Sequence, residues 1–185
     1  MIKKLVFTLA LVFFTGCVST SDKYRSTTVK NVDIDRFMGK WFVIASIPTW
    51  FETTASNAVE TYAKNADGSI HVSFSYYDND PSGEFKEMTQ KAYVVDEQTR
   101  GHWKIRPIWP LLFDYLVIDL DTENYEYTVI GRPNKANVWI MARSPHISDD
   151  LYRKLVRKVV SQGYDELEIK KVQQEWKQER REDQK

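Results

Sequence analysis

The chain has 185 residues with 26 basic and 26 acidic side chains, so its formal net charge is zero and a nucleic-acid partner is not expected. This length suits one domain with a sizeable core. The single cysteine excludes an intrachain disulfide, and the aromatic content of 14% favours a β-rich body or an apolar binding surface.

Residues 1–16 have the pattern of a cleavable export signal. Two lysines precede a short apolar run over residues 5–14, which ends in small residues just before Cys17. A helix that crosses a bilayer needs roughly 20 apolar residues, which is more than this run contains. The basic start and the small-residue end predict that this segment is removed from the mature protein.

The sequence Phe14-Thr15-Gly16-Cys17 resembles the bacterial lipobox, except that Phe14 stands where leucine is preferred. The resemblance implies that Cys17 becomes the acylated N-terminus and that its acyl chains hold the protein on a membrane. Val18, rather than an aspartate, follows the cysteine, which resembles outer-membrane sorting in Gram-negative bacteria. The alternative is a secreted protein with an unmodified Cys17, and a lone thiol in an oxidising compartment argues against it.

Residues 17–31 are mostly polar, and they predict a flexible, lipidated tether. The folded domain is expected over residues 32–176. A charged tail is expected over residues 177–185.

Within the domain, short runs of β-branched and aromatic residues are separated by turn signals, which is typical of an all-β barrel or sandwich. Eight strands are predicted, near residues 40–47, 56–64, 69–77, 85–95, 102–107, 113–120, 125–131 and 137–143. Their consecutive hairpins predict an up-and-down antiparallel order. Apolar and polar residues alternate along these strands, so each strand presents one face to the interior.

A helix is predicted after the strands. Ser148 is a suitable N-cap, and Leu151, Leu155 and Val159 recur at helical spacing before Gly163. The apolar side of this amphipathic helix is expected to pack on the outside of the sheet. A further short strand is predicted near residues 167–172.

Four blocks of sequence resemble the lipocalin family, in particular its bacterial and plant members related to apolipoprotein D: residues 35–42, 115–121, 127–131 and 139–145. The first and last blocks are similar to lipocalin signatures, and the other two are similar to the sixth and seventh strands. The resemblance extends from about residue 32 to residue 172. It implies an eight-stranded up-and-down antiparallel barrel with one C-terminal α-helix.

The resemblance also implies a closed end of the barrel. In lipocalins the arginine equivalent to Arg143 lies over the indole equivalent to Trp41, and Gly39 belongs to the same Gly-x-Trp signature. Such a cation–π contact is worth ~1–2 kcal/mol when it is desolvated. Gly39, Trp41 and Arg143 are therefore expected to be structural.

An eight-stranded barrel can hold a small ligand. Alternation and the lipocalin resemblance together predict a mostly apolar cavity wall formed by Val72, Phe74, Met88, Gln90, Trp103, Ile105, Tyr115, Val117, Trp139 and Met141. Glu60 is expected on the same inward face, where it would meet a cationic or hydroxylated head group. The alternatives for Glu60 are a position in water at the rim, or a local twist that turns it outward.

Residues 106–113 are unusually apolar for a hairpin connection. They are expected to wall the mouth of the barrel or to rest on the membrane. The alternatives are that they pack back on the barrel or form a homodimer contact.

The sequence offers little support for catalysis, and no metal or cofactor is expected. His71, His102 and His146 are expected on outer faces or in a loop, at spacings that do not suit a metal site. The predicted function is that of a non-enzymatic, membrane-anchored lipocalin that captures fatty acids or lysophospholipids for storage or transport in membrane maintenance. The alternative is a structural or adaptor lipoprotein that acts through a protein–protein surface.

Overall fold

The computed structural model describes residues 22–176, so the predicted signal segment, Cys17 and the predicted tail lie outside the described residues. Eight strands follow in chain order: β1 Gly39–Ile47, β2 Ala55–Lys64, β3 Ile70–Asp78, β4 Phe85–Val94, β5 His102–Arg106, β6 Phe113–Leu120, β7 Tyr127–Gly131 and β8 Val138–Ala142. Each strand pairs antiparallel with the next, and β1 pairs with both β2 and β8. The sheet therefore closes into the predicted eight-stranded barrel.

The side chains of the barrel wall separate into two apolar clusters, one inside the barrel and one outside. In β3, for example, Ile70, Val72, Phe74 and Tyr76 are buried in the interior cluster, while His71 between them is exposed. This alternation follows from the two-residue repeat of a strand. It confirms the inward face that the sequence predicts for β3.

The outer cluster lies under the predicted helix. This helix, α2, spans Asp149–Ser161, and the Ser148 side chain caps it by accepting a hydrogen bond from the backbone N–H of Leu151 at 3.2 Å. Leu155 and Val159 are fully buried against outward-facing residues of the sheet. No helix among residues 22–176 is long and apolar enough to cross a membrane.

The two ends of the barrel differ. A short helix, α1 (Ile34–Phe37), leads directly into β1 and closes one end. The connections after β1, β3, β5 and β7 all lie at the opposite end, because consecutive strands are antiparallel. We call this opposite end the mouth.

The C-terminal segment completes the seam between β1 and β2. The predicted additional strand is present as β9 (Lys170–Lys171), which pairs with the second half of β1. Beyond it, the Gln174 side-chain amide donates hydrogen bonds to the carbonyls of Val43, at 2.8 Å, and Ala58, at 3.0 Å. These bonds bridge β1 and β2 where the two strands no longer pair directly.

The described part of the predicted tether differs from the expectation of a free segment. Tyr24 packs edge-on against His102, with ring centres 5.1 Å apart, and Arg25 donates a hydrogen bond to Asp96 at 3.2 Å. The backbone N–H of Val29 donates to the carbonyl of Val117 at 2.8 Å. Residues 24–29 thus cover part of the outer wall, because the few apolar side chains in this stretch have a surface to pack against.

Candidate functional site

A cavity of about 90 Å³ lies at the mouth, and we call it the mouth cavity. Its lining comes from the β1–β2 connection, from the inner faces of several strands and from the connections after β5 and β7. The lining residues are Thr49, Phe51, Glu52, Glu60, Gln90, Ile105, Pro107, Phe113, Asp114, Tyr115, Arg132 and Trp139. Aromatic and aliphatic side chains with a few polar groups are the usual lining of a small-molecule site.

The structure divides the sequence-predicted wall residues into two sets. Those that line the mouth cavity are Glu60, Gln90, Ile105, Tyr115 and Trp139. Those that pack in the interior cluster without lining the cavity are Val72, Phe74, Met88, Trp103, Val117 and Met141. Ligand contact stays a prediction for both sets.

Stacked aromatic rings explain why the cavity is shallow. Trp103 lies fully buried, with its ring 5.0 Å from Phe37 and 5.9 Å from Tyr115. Tyr115 in turn stacks on Trp139 with ring centres 6.3 Å apart. Aromatic side chains bury large areas, and this column fills the barrel from the closed end up to the floor of the mouth cavity.

Glu60 faces the interior and is only 5% exposed, so both sequence alternatives for it, a wet rim or an outward turn, are wrong. The hydroxyl of Tyr115 donates a hydrogen bond to the Glu60 carboxyl at 2.8 Å, and the Tyr62 hydroxyl contacts both groups. Burial raises the pKa of Glu60 to about 8, against the opposing effect of the Tyr115 hydrogen bond, and the nearby Glu52 raises it further. At neutral pH the floor of the cavity is therefore polar but mostly uncharged.

A second carboxyl group, Glu52, reaches the cavity from the β1–β2 connection. It accepts hydrogen bonds from the indole N–H of Trp139 at 2.9 Å and from the hydroxyl of Thr49 at 2.7 Å. Burial also raises the pKa of Glu52, and these two hydrogen bonds oppose that effect. The sequence reasoning missed Glu52, because alternation assigns faces only within strands.

Arg132 and Asp114 are further cavity residues that the sequence reasoning missed. The guanidinium carbon of Arg132 lies 4.4 Å from the ring centre of Phe113, and its Nη1 donates to the Asn137 side chain at 3.3 Å. Asp114 pairs with Lys104 at 2.7 Å. The Asp114 carboxylate also lies 2.7 Å from Nε2 of His102 on the outer face, so Arg132 is the residue of this pair whose charged group reaches the mouth.

The closed end contains the contact that the lipocalin resemblance implies. The guanidinium carbon of Arg143 lies 3.7 Å from the ring centre of Trp41, which is fully buried. Gly39 has a φ of +93°, and a Cβ atom there would lie 3.4 Å from Arg143 Nη1. A glycine is therefore favoured at this position by its positive φ, and its lack of a side chain leaves the guanidinium within ordinary contact distance.

The apolar side chains of the connection between β5 and β6 are largely exposed to solvent. Ile108 is 66% exposed and Trp109 is 78% exposed, and Leu111 and Leu112 are 48% and 43% exposed. Exposed apolar side chains that lie this close together are more typical of a contact surface than of ordinary solvent-facing surface.

The histidines lie apart from one another in the described part of the chain. His102 lies on the outer face, buried under Tyr24, and its Nε2 is 2.7 Å from Asp114. His71 and His146 are exposed. Within residues 22–176, no three His, Cys, Asp or Glu side chains are placed to hold a metal ion.

Comparison with known proteins gives consistent matches along this chain. A family model described as "Lipocalin-like domain" matches residues 32–174. Temperature-induced lipocalin-1 of Arabidopsis thaliana is 32% identical over 162 residues, which cover 83% of this chain and 86% of the plant protein. Outer membrane lipoprotein Blc of Vibrio cholerae is 29% identical over 167 residues, covering 90% and 96%. The protein of the same name from Escherichia coli K12 is 30% identical over 159 residues, covering 86% and 89%.

Solved structures share the same barrel. Insecticyanin from the tobacco hornworm Manduca sexta superposes with a TM-score of 0.60 at 17% identity, covering 82% of this chain and 85% of insecticyanin. H1 crustacyanin from the lobster Homarus americanus gives a TM-score of 0.63 at 14% identity, covering 85% and 86%. At such low identity these similarities show the fold alone.

Proposed function

The chain belongs to the lipocalin-like family, and we propose that it binds single-chain lipids such as fatty acids or lysophospholipids at the mouth of its barrel. The observation that carries this proposal is the mouth cavity, whose wall is largely aromatic and aliphatic and whose floor carboxyl is kept mostly neutral by burial. An acyl chain gains about 25 cal/mol for each Å² of apolar surface that leaves water. The proposed role is non-enzymatic storage or transport in membrane maintenance.

The proposed location is the outer membrane of a Gram-negative bacterium, with acylated Cys17 as the anchor. The lipobox-like residues 14–17 support this location, as do the two bacterial relatives named outer membrane lipoprotein. A lipid anchor of two or three acyl chains would keep the mouth close to the membrane that supplies its ligand.

Radiolabelled palmitate is expected to be incorporated into the full chain expressed in Escherichia coli, and Cys17→Ser is expected to abolish the labelling. The reason is that Cys17 is the only thiol in the chain and therefore the only site for a thioether-linked lipid. Labelling is measured on the immunoprecipitated protein. Equal labelling of the parent and the variant would contradict the anchor proposal.

Phe113→Asp is expected to weaken the binding of cis-parinaric acid, a fluorescent C18 fatty acid, by at least about tenfold, or about 1.4 kcal/mol. Phe113 lines the mouth cavity, so the variant places a carboxylate where the acyl chain is proposed to lie. Phe85→Asp is the matched control, because Phe85 is 54% exposed, contacts Tyr77 and does not line the cavity. Equal affinities of parent and Phe113→Asp, or no binding by the parent, would contradict the proposal.

The exposed β5–β6 connection favours a second candidate function, that of an adaptor or a homodimer that acts through a protein surface. Its apolar side chains Ile108 and Trp109 have no partner within residues 22–176 that covers them. In this case the parent protein would bind no lipid but would self-associate or capture a partner through this surface. Sedimentation of the parent with and without palmitate separates the two candidates.

A further inference from the structure

The mouth cavity alone is too small for the proposed ligand. Sites for drug-sized ligands typically have volumes of about 300–1,000 Å³, whereas the mouth cavity has about 90 Å³. The column of Trp103, Tyr115 and Trp139 blocks a deeper position in the barrel. A long acyl chain must therefore continue beyond the cavity in some direction.

The sheet has an unpaired strand edge beside the mouth cavity. The residues of β4 from Phe85 to Ala92 pair with β3, but only Lys91 to Val94 pair with β5. The residues from Phe85 to Gln90 therefore present a free edge on the β5 side, and at about 3.4 Å per residue this edge is roughly 20 Å long. The connection after β5 leaves the sheet at Arg106, next to the point where the free edge begins.

A surface groove of about 590 Å³ lies on the outer side of this edge. Gln90 and Pro107 line both the groove and the mouth cavity, so the two spaces adjoin at these residues. Ile108 and Trp109 of the apolar β5–β6 connection form one side of the groove. The groove thus offers apolar side chains on the side of the connection and mostly polar ones, Asp67 among them, on the side of the sheet, and it adds enough volume for the rest of a long chain.

The groove also contains a cation that has no acidic partner among residues 22–176. Arg106 lines the groove, and its guanidinium carbon lies 5.2 Å from the ring centre of Tyr93. Its Nη1 donates to the Tyr93 hydroxyl at 3.3 Å, while its buried Nε–H has no hydrogen-bond partner among the described residues. Lys91 nearby is already paired with Asp67 at 2.6 Å. Arg106 is therefore the group in the groove best suited to a carboxylate or phosphate.

We infer that an anionic single-chain amphiphile binds across the wall of the barrel, with its chain in the mouth cavity and its anionic group against Arg106 on the outer face. The chain passes between the free edge of β4 at Gln90 and the connection at Pro107. This inference rests on the proposed lipid-binding function and specifies the path of the ligand. It also assigns a role to the apolar connection, as the outer cover of the part of the chain that lies in the groove.

The test compares two arginines that flank the cavity. Arg106 lies in the lateral groove, whereas Arg132 lines the mouth cavity itself and also has an unpartnered Nε–H. The probes are palmitate, 1-palmitoyl lysophosphatidate and uncharged hexadecanol, titrated against the tryptophan fluorescence of the parent, Arg106→Gln and Arg132→Gln. The two anionic probes distinguish a carboxylate from a phosphate as the recognised group.

Arg106→Gln is expected to weaken at least one anionic probe by about tenfold or more and to leave the affinity for hexadecanol unchanged. Gln90→Trp, which places a large ring on the proposed path of the chain, is expected to weaken all three probes. If Arg132→Gln is instead the variant that loses the preference for anions, the anionic group lies at the mouth and the lateral path is wrong. Unchanged affinities in Arg106→Gln and Gln90→Trp would overturn the inference alone, whereas a parent that binds none of the probes would overturn the proposed function as well.

Discussion

Arg143→Ala is expected to lower the free energy of unfolding by about 3–5 kcal/mol. The reason is that this one side chain links α1, the start of β1 and the connection before β7 at the closed end. Its guanidinium stacks on Trp41 at 3.7 Å and donates hydrogen bonds to five backbone carbonyls. Those carbonyls belong to Arg36, Phe37, Met38, Lys40 and Tyr125. Urea denaturation at pH 7 measures the loss, and lipid affinity at the opposite end is expected to stay unchanged.

Arg36→Ala is the matched control at the same end. Arg36 also lies over an aromatic ring, with its guanidinium carbon 4.2 Å from the ring centre of Tyr125, and it donates hydrogen bonds to the carbonyls of Thr122 at 3.4 Å and Glu123 at 2.5 Å. Its side chain, however, is exposed. An exposed cation–π contact contributes about 0.5–1 kcal/mol and exposed hydrogen bonds add little, so the control is expected to lose about 1–2 kcal/mol, less than Arg143→Ala. Equal losses in the two variants, or a loss of lipid binding with unchanged stability in Arg143→Ala, would contradict a structural role for Arg143.

The strands were predictable because their signals are local. Alternation in β3 placed Val72 and Phe74 inside, and the turn signals set the strand bounds to within two residues of those observed. The approach of Arg143 to Trp41 was expected only from the lipocalin resemblance, since an arginine on an apolar face has no local explanation. The outer position of α2 followed from its single apolar side.

The shape of the site was not predictable in the same way. Alternation shows that Trp103 and Val117 point inward, but whether an inward side chain lines a cavity or fills it depends on packing across the whole barrel. Glu52 lies in a connection whose path is set by tertiary contacts, such as the bond from the Tyr76 hydroxyl to the Phe51 carbonyl at 3.2 Å. The free edge of β4 arises because β5 has only five residues, against ten in β4 and eight in β6, and hydrophobic patterning does not reveal this difference.

Glu60 is the residue whose environment departs most from what its type suggests. Its carboxyl is buried beside Tyr62 and Tyr115, and burial raises its pKa from 4.5 to about 8. A carboxyl with a raised pKa in the folded state stabilises the fold fully below its unfolded pKa, and this contribution is lost as the pH rises through the folded pKa. The stability of the parent should therefore fall between about pH 4.5 and pH 8.

Glu60→Gln is expected to remove most of this loss of stability. For Glu60 alone, the difference between the unfolded and folded pKa corresponds to a loss of about 4–5 kcal/mol. The glutamine cannot ionise, although its buried amide N–H costs about 1–3 kcal/mol where it lacks a partner. The variant should thus be less stable than the parent at pH 5 and more stable at pH 9. Urea denaturation at a series of pH values measures the free energy of unfolding of the parent and of Glu60→Gln as a function of pH.

Tyr115→Phe provides the control that identifies the group responsible. The Tyr115 hydrogen bond lowers the pKa of Glu60, so its removal should raise that pKa and extend the fall in stability to higher pH. Glu52, whose pKa burial also raises, accounts for any slope that remains in Glu60→Gln. If the parent and Glu60→Gln lost stability in parallel from pH 5 to pH 9, Glu60 would be ionised in the folded protein, and the cavity floor would carry a charge that disfavours an acyl chain.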